Sequence, residues 1–145
     1  MLETYDSVCL SRHPLRMPNI PFSVLVLCDN NMERGRMAEI CDELLNAGCM
    51  YFAAIGWNHQ IWHCAFDEAN LRFSPDLVQE KTITTISCRD LEYESIEEWV
   101  LISSHPCVEI THGVILYEND DQLYKADCYF RQAHHEVSVE IDWPK

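Results

Sequence analysis

The stretch FSVLVLCDNNMERGRMAEICDELLNAGCMYFAAIG, residues 22–56, decides how the rest of the chain is read. Phe22 to Asp29 is a short, nearly continuous apolar run that ends in a carboxylate. That is the pattern of a strand buried on both faces. In the segment that follows, Met37, Ile40, Cys41, Leu44 and Leu45 recur at helical spacing. Asn30 with Glu33 has the form of a capping box, and Gly48 stands where a helix ends in the left-handed conformation. Cys49 to Gly56 is a second run of buried-strand character. A strand, a helix and a second such strand imply a parallel pair joined by a right-handed crossover.

The alternation continues downstream. Residues 59–72 predict a helix with Ile61, Trp62, Ala65, Phe66 and Ala69 inward, followed by a polar loop around Pro75. Residues 82–88 predict a third strand and 95–105 a third helix. Ser95 and Glu98 form a second capping box there, and Ile96, Trp99, Val100 and Ser103 share one face. Residues 113–118 predict a fourth strand. Further on, DDQLYKADCYF reads as a hairpin arm or a short helix, with β preferred, and EVSVEIDW alternates with period two and reads as a strand with one wet face. Residues 1–21 contain Pro14, Pro18 and Pro21 and read as an irregular arm. The expectation is one α/β domain: an open three-layer sandwich on a mainly parallel sheet of about four strands, Rossmann-like or flavodoxin-like. Its parts are an arm (1–21), an α/β core (22–118) and a C-terminal β extension (119–145).

The totals restrict the partners. Ten Lys and Arg against 24 Asp and Glu leave a formal charge of −14, and the excess is spread along the chain rather than gathered in a tail. Such a surface repels phosphate backbones and anionic lipid, so neither nucleic acid nor membrane is an expected partner. No apolar run reaches the ~18–20 residues of a membrane span. A protein partner, basic in character, is the expectation. The eight cysteines stand at long, irregular gaps with no C-x-x-C, and no secretory leader is evident. Cys41 and Cys64 fall on helical core faces. Free thiols in a reducing cytoplasm are therefore expected.

Ligands of an open parallel sheet bind beyond the carboxyl ends of its strands. Here those ends are Asp29-Asn30, Gly56-Trp57-Asn58-His59, Ser87-Cys88-Arg89-Asp90 and Glu118-Asn119-Asp120. The chain has four glycines and neither G-x-G-x-x-G nor a P-loop, so the usual phosphate cradles are missing. A phosphoacceptor receiver would need a Lys at a strand end, and the third and fourth strands end in none. His59, His63 and Asp67 recur every four residues on one helix face. Two imidazoles so spaced can bind a metal, but Gln60 stands where the zinc-protease pattern has its base, and His59 lies at the positive helix end. The stripe reads as a solvated face, and no metal or cofactor is expected. Cys88 beside Arg89 could carry an activated thiolate, against the plainer reading of a buried cysteine near a loop ion pair. The candidates for chemistry are Asp29, His59, His63, Asp67, Cys88 and Arg89. Those for partner contact are Trp57, Glu94 and Glu97. Trp62 reads as core, and His134-His135 as a polar surface step.

The run LLNAGCMYFAAIGWNHQIWHCAFDEANLRF, followed by SIEEWVLISSHP, resembles a family of small bacterial Rossmann-like α/β domains of unknown function. The likeness covers residues 22–118 and rests on Gly48-Cys49-x-Tyr51, Gly56-Trp57, and Trp62-His63 with Asp67 and Ala69. It implies a bacterial, cytoplasmic α/β domain and supplies no activity. The expected function is a non-enzymatic, acidic interaction domain, immunity- or antitoxin-like or part of a bacterial conflict system. The alternatives are a small-ligand or hydrolytic site at the strand ends, and a homodimer built through the C-terminal strand.

Overall fold

The computed structural model describes residues 1–11, 15–73 and 82–142. Its elements run β1 (Thr4–Cys9), β2 (Phe22–Leu27), α1 (Arg34–Ala47), β3 (Cys49–Ile55), α2 (His59–Phe73), β4 (Ile83–Cys88), α3 (Tyr93–Ile102), β5 (His112–Tyr117) and α4 (Asp120–Asp142). The five strands form one sheet in the order β1-β5-β2-β3-β4, and every pairing is parallel. This is the expected α/β, Rossmann- or flavodoxin-like sandwich.

Period two divides the central strand between two cores. Phe22, Val24, Val26 and Cys28 face α1 and α2, where they meet Met37, Ile40, Cys41, Leu44, Trp62 and Phe66. Leu25 and Leu27 face α3 and α4, where they meet Ile96, Trp99, Val100, Ala126 and Phe130. Every β2 residue is buried. The one polar residue among them, Ser23, accepts the indole N–H of Trp99 at 2.8 Å and shares a 2.8 Å hydrogen bond with Ser103. No buried side-chain polar atom among the described residues lacks a partner.

Several local expectations are corrected. Residues 4–9 are not an irregular arm but the edge strand β1, paired with β5 from Thr4↔His112 to Cys9↔Tyr117. Residues 120–142 are not a β extension but one 23-residue helix. Among its described side chains Ala126, Phe130 and Ala133 are buried against the sheet, a helical spacing that outweighs the period-two pattern further on. A homodimer through a C-terminal strand thereby loses its basis. Helix α1 starts at Arg34 with Glu33 as N-cap and no side-chain capping bond, so the Asn30–Glu33 box does not form. Helix α3 starts at Tyr93, two residues before Ser95, and its N-cap Glu92 makes no side-chain capping bond either. Gly48 ends α1 in the left-handed conformation, as its position implies. On α2, Trp62, Phe66 and Ala69 are buried, whereas Ile61 is 41 % exposed and Cys64 is also exposed. All eight thiols are free. The loop expected around Pro75 lies outside the described residues. Among the described residues no helix is long and apolar enough to cross a membrane.

Candidate functional site

The topology makes a site where the helices that follow neighbouring strands leave on opposite sides. Helices α1 and α2 pack together on one face, and α3 and α4 on the other. Strands β5 and β2 are neighbours, but α4 and α1 lead away from them on opposite faces. Strands β3 and β4 are also neighbours, with α2 and α3 doing the same. Two switch points thus lie side by side at the carboxyl edge of the sheet, and all four strand-end segments meet there.

Between the switch points Gly56 bends the chain with φ 143°, in the region that disfavours a side chain. A Cβ there would stand 2.6 Å from the carbonyl carbon of Cys28 and 2.9 Å from Asp29 Oδ1. This close approach lets the neighbouring loops bond. Gly56 N–H donates to Cys88 O at 2.9 Å and Asn58 N–H to Cys28 O at 3.0 Å. Asp29 uses both carboxylate oxygens: Oδ1 accepts the Trp57 N–H at 3.2 Å, and Oδ2 accepts Gln122 Nε2 at 3.0 Å. Glu118 accepts the Asn30 N–H at 3.2 Å, and Asn58 Nδ2 donates to Asn30 O at 2.8 Å. Asn119 caps α4 by accepting the Gln122 N–H at 3.0 Å. Asp29, Asn30, Asn58, Glu118 and Gln122 are thereby tied to one another and to the neighbouring backbone.

Above this network stands Trp57, 67 % exposed. Its backbone is anchored on Asp29, and the Arg89 guanidinium lies over its ring with Cζ 4.8 Å from the centroid. A cavity of about 300 Å³ opens beside it, lined by Asp29, Trp57, Arg89, Asp90, Asp121 and Lys125 together with Leu91 and Gln122. Three carboxylates, two cations and an indole rim give it the means to hold a charged, flat or alkyl-ammonium group. A separate apolar groove of about 360 Å³ lies between α1 and α2, bordered by Met37, Ile61 and Cys64 with Arg34 and Arg72 at its polar margins.

The remaining candidates disperse. His59, in the first turn of α2, does not face the cavity; its Nδ1 meets Ser87 Oγ at 2.5 Å, partly buried. His63 pairs with Asp67 on the outer side of α2, Nδ1 to Oδ2 3.2 Å. The expected stripe is therefore divided, with His59 serving β4 and the other two bonded to each other. Among the described residues no group of three or more His, Cys, Asp or Glu is placed to hold a metal. Cys88 Sγ points to Ser95 Oγ at 3.4 Å and Asp90 O at 3.8 Å, while Arg89 Nε sits 3.5 Å from Asp90 Oδ1 rather than by the thiol. Glu94 is exposed in the first turn of α3, and Glu97 accepts the Tyr93 hydroxyl at 2.9 Å. His134 stacks on Phe130 within α4, centroids 6.2 Å apart.

Of the named residues the structure brings together Asp29, Trp57 and Arg89. Sequence reasoning missed Asp121, Gln122 and Lys125, because α4 was not seen as a helix beginning at a strand end. The available signal was Asn119 three residues before Gln122, a helix N-terminus signature, followed by Leu123, Ala126 and Phe130 at helical spacing.

Fold and strand ends define an open, all-parallel α/β domain of flavodoxin-like class. The chain belongs to the family described as Domain of unknown function (DUF7684), whose model matches residues 6–126. That match takes in most of β1 and the first residues of α4, so both corrected ends share in the family's domain. No curated protein and no solved structure matches the chain.

Proposed function

We propose that this chain is an acidic protein-interaction domain of a bacterial cytoplasm, immunity- or antitoxin-like or part of a conflict system, which docks a basic partner on the Trp57 end of its sheet. The observation that carries the reading is an indole left 67 % exposed on a backbone anchor, above strand ends whose polar groups already bond to one another. Large amphipathic aromatics in such positions are the usual anchors of protein interfaces. The formal charge of −14 supplies attraction for a basic surface. Cysteine usage supports the compartment, with Cys28, Cys41 and Cys49 buried as thiols. The test begins with capture of the partner from the native host. Its binding is then compared between the wild-type chain and Trp57→Ala, whose loss of affinity the reading requires.

A second reading, a small-ligand or hydrolytic site at the same strand ends, has one observation in its favour: Ser87 Oγ and His59 Nδ1 stand in contact. A hydroxyl on an imidazole is the first part of an activated nucleophile. Among the described residues no third group orients the ring. Labelling by a fluorophosphonate that is lost in Ser87→Ala would raise this reading above the first.

A further inference from the structure

We infer that the exposed face of Trp57, at the rim of the cavity beside it, is a seat for a single cationic side chain of the partner, arginine above all, and that Arg89 covers that face in the free chain as a displaceable stand-in. The inference rests on the interaction reading above and names the chemistry the partner must present. The cavity, about 300 Å³, has room for the end of one side chain. On its lining the carboxylates of Asp29, Asp90 and Asp121 outnumber the cations of Arg89 and Lys125, so the balance favours a cationic occupant. An indole face attracts a cation through its quadrupole, and a guanidinium can also stack flat on it. The molecule itself shows the fit, because the Arg89 guanidinium already lies 4.8 Å from the Trp57 centroid.

Platform and occupant are held very differently. Trp57 follows a glycine bend that tolerates no Cβ, and its N–H is bound by Asp29. Among the described residues, Arg89 is held from the side by Asp90 alone, at 3.5 Å, with 57 % of its side chain and 61 % of that of Asp90 exposed. Exposed pairs of that kind contribute little to stability. Lys125, the other cation on the lining, has its Nζ over the Tyr129 ring at 5.9 Å and leaves the indole to Arg89. A partner arginine can therefore take the ring while Arg89 swings into solvent, and Asp90 and Asp121 stay to receive the newcomer. Removing Arg89 should raise affinity, since a site occupied by its own side chain binds less than an open one.

The experiment titrates the full chain with the peptide acetyl-Gly-Arg-Gly-Arg-Gly-amide and, as a control, the same peptide with citrulline for arginine. The readout is the indole N–H resonance of Trp57, assigned with Trp57→Phe. The arginine peptide is expected to shift that resonance, and the citrulline peptide to leave it in place. Arg89→Gln is expected to tighten binding by about threefold or more. Arg131→Gln makes the same change in net charge on the exposed face of α4 and is expected to give a smaller effect. Three results would each overturn the inference: no shift of Trp57 with the arginine peptide, equal binding by Trp57→Ala, or weaker or unchanged binding by Arg89→Gln. The interaction reading fails separately, if the captured partner binds Trp57→Ala as well as wild type. If that partner needs Trp57 while the peptide ignores it, the docking surface stands and the arginine seat does not.

Discussion

Gly56 is where residue chemistry and site meet. Its positive φ and the 2.6 Å approach of Cys28 leave no place for a methyl group. Gly56→Ala is therefore expected to destabilise the chain by roughly 2 kcal/mol or more, strain and steric clash combined. Urea unfolding would measure it, and a cost within about 0.5 kcal/mol would show that the bend relaxes. The thiols make a second residue-scale case. Burial pushes the Cys41 thiol up to about 12 from 9.0, with the nearby Asp42 carboxylate adding to it. Burial raises Cys28 and Cys49 as well, with Glu118 the next cause for Cys28. The raised folded-state pKa fixes the sign. Below pH 9 both folded and unfolded states keep the proton and nothing changes. Above it the unfolded state ionises first, so stability falls between about pH 9 and 12 by ~1.4 kcal/mol per pH unit for each such thiol. Chemical unfolding at pH 8 and pH 10 should show the decline, and Cys41→Ala should lessen it. Cys64 marks a limit of sequence: it shares a helix with Trp62 and Phe66, yet it borders the open α1–α2 groove. Apolar spacing identifies a helix but not the width of its buried stripe.

At the scale of elements, β2, α1, β3 and α2 were legible because each carries its own periodic signal over several turns or pleats. The ends were not. Strand β1 has the sequence TYDSVC and pairs on one side only, with half of its residues exposed. Its partner β5 supplies the missing context: His112 Nε2 reaches Asp6 at 3.0 Å and its Nδ1 meets Thr4 at 2.6 Å. Tyr5 meets Phe130 of α4, ring centroids 4.3 Å apart. Helix α4 was hidden by β-branched residues near its end, although Ala126, Phe130 and Ala133 give the helical period. Phe130→Ala should thus cost ~3–5 kcal/mol, a core truncation in a segment for which β is the preferred expectation. Trp62→Ala on α2 should cost about the same. His63→Ala should cost under about 0.5 kcal/mol, since its pairing with Asp67 is a partly exposed i,i+4 contact. Thermal or urea melts of the three variants check all of this, and a large loss in His63→Ala would point to a role that this pairing does not explain.

For the whole molecule, charge and topology act together. Sequence pointed to the strand ends and named Asp29, Trp57 and Arg89, which the structure places together. It could not show that Asp29 is spent on Trp57 and Gln122, because those bonds join residues 28 and 93 positions apart. Nor could it show that His59 turns to Ser87, which depends on the register of β3 against β4. With a formal charge of −14, a basic partner should be drawn in from a distance. Its association rate should fall clearly from low to physiological salt, while dissociation changes less. Stopped-flow kinetics would record the split, and an association rate indifferent to salt would remove the electrostatic part of the account. The most direct measurement is the equilibrium dissociation constant of the captured native partner for the wild-type chain and for Trp57→Ala, at one ionic strength, with both chains shown to be folded. The account predicts a loss of about thirtyfold or more, the ~2 kcal/mol of an interface anchor. A change of less than about twofold would contradict it.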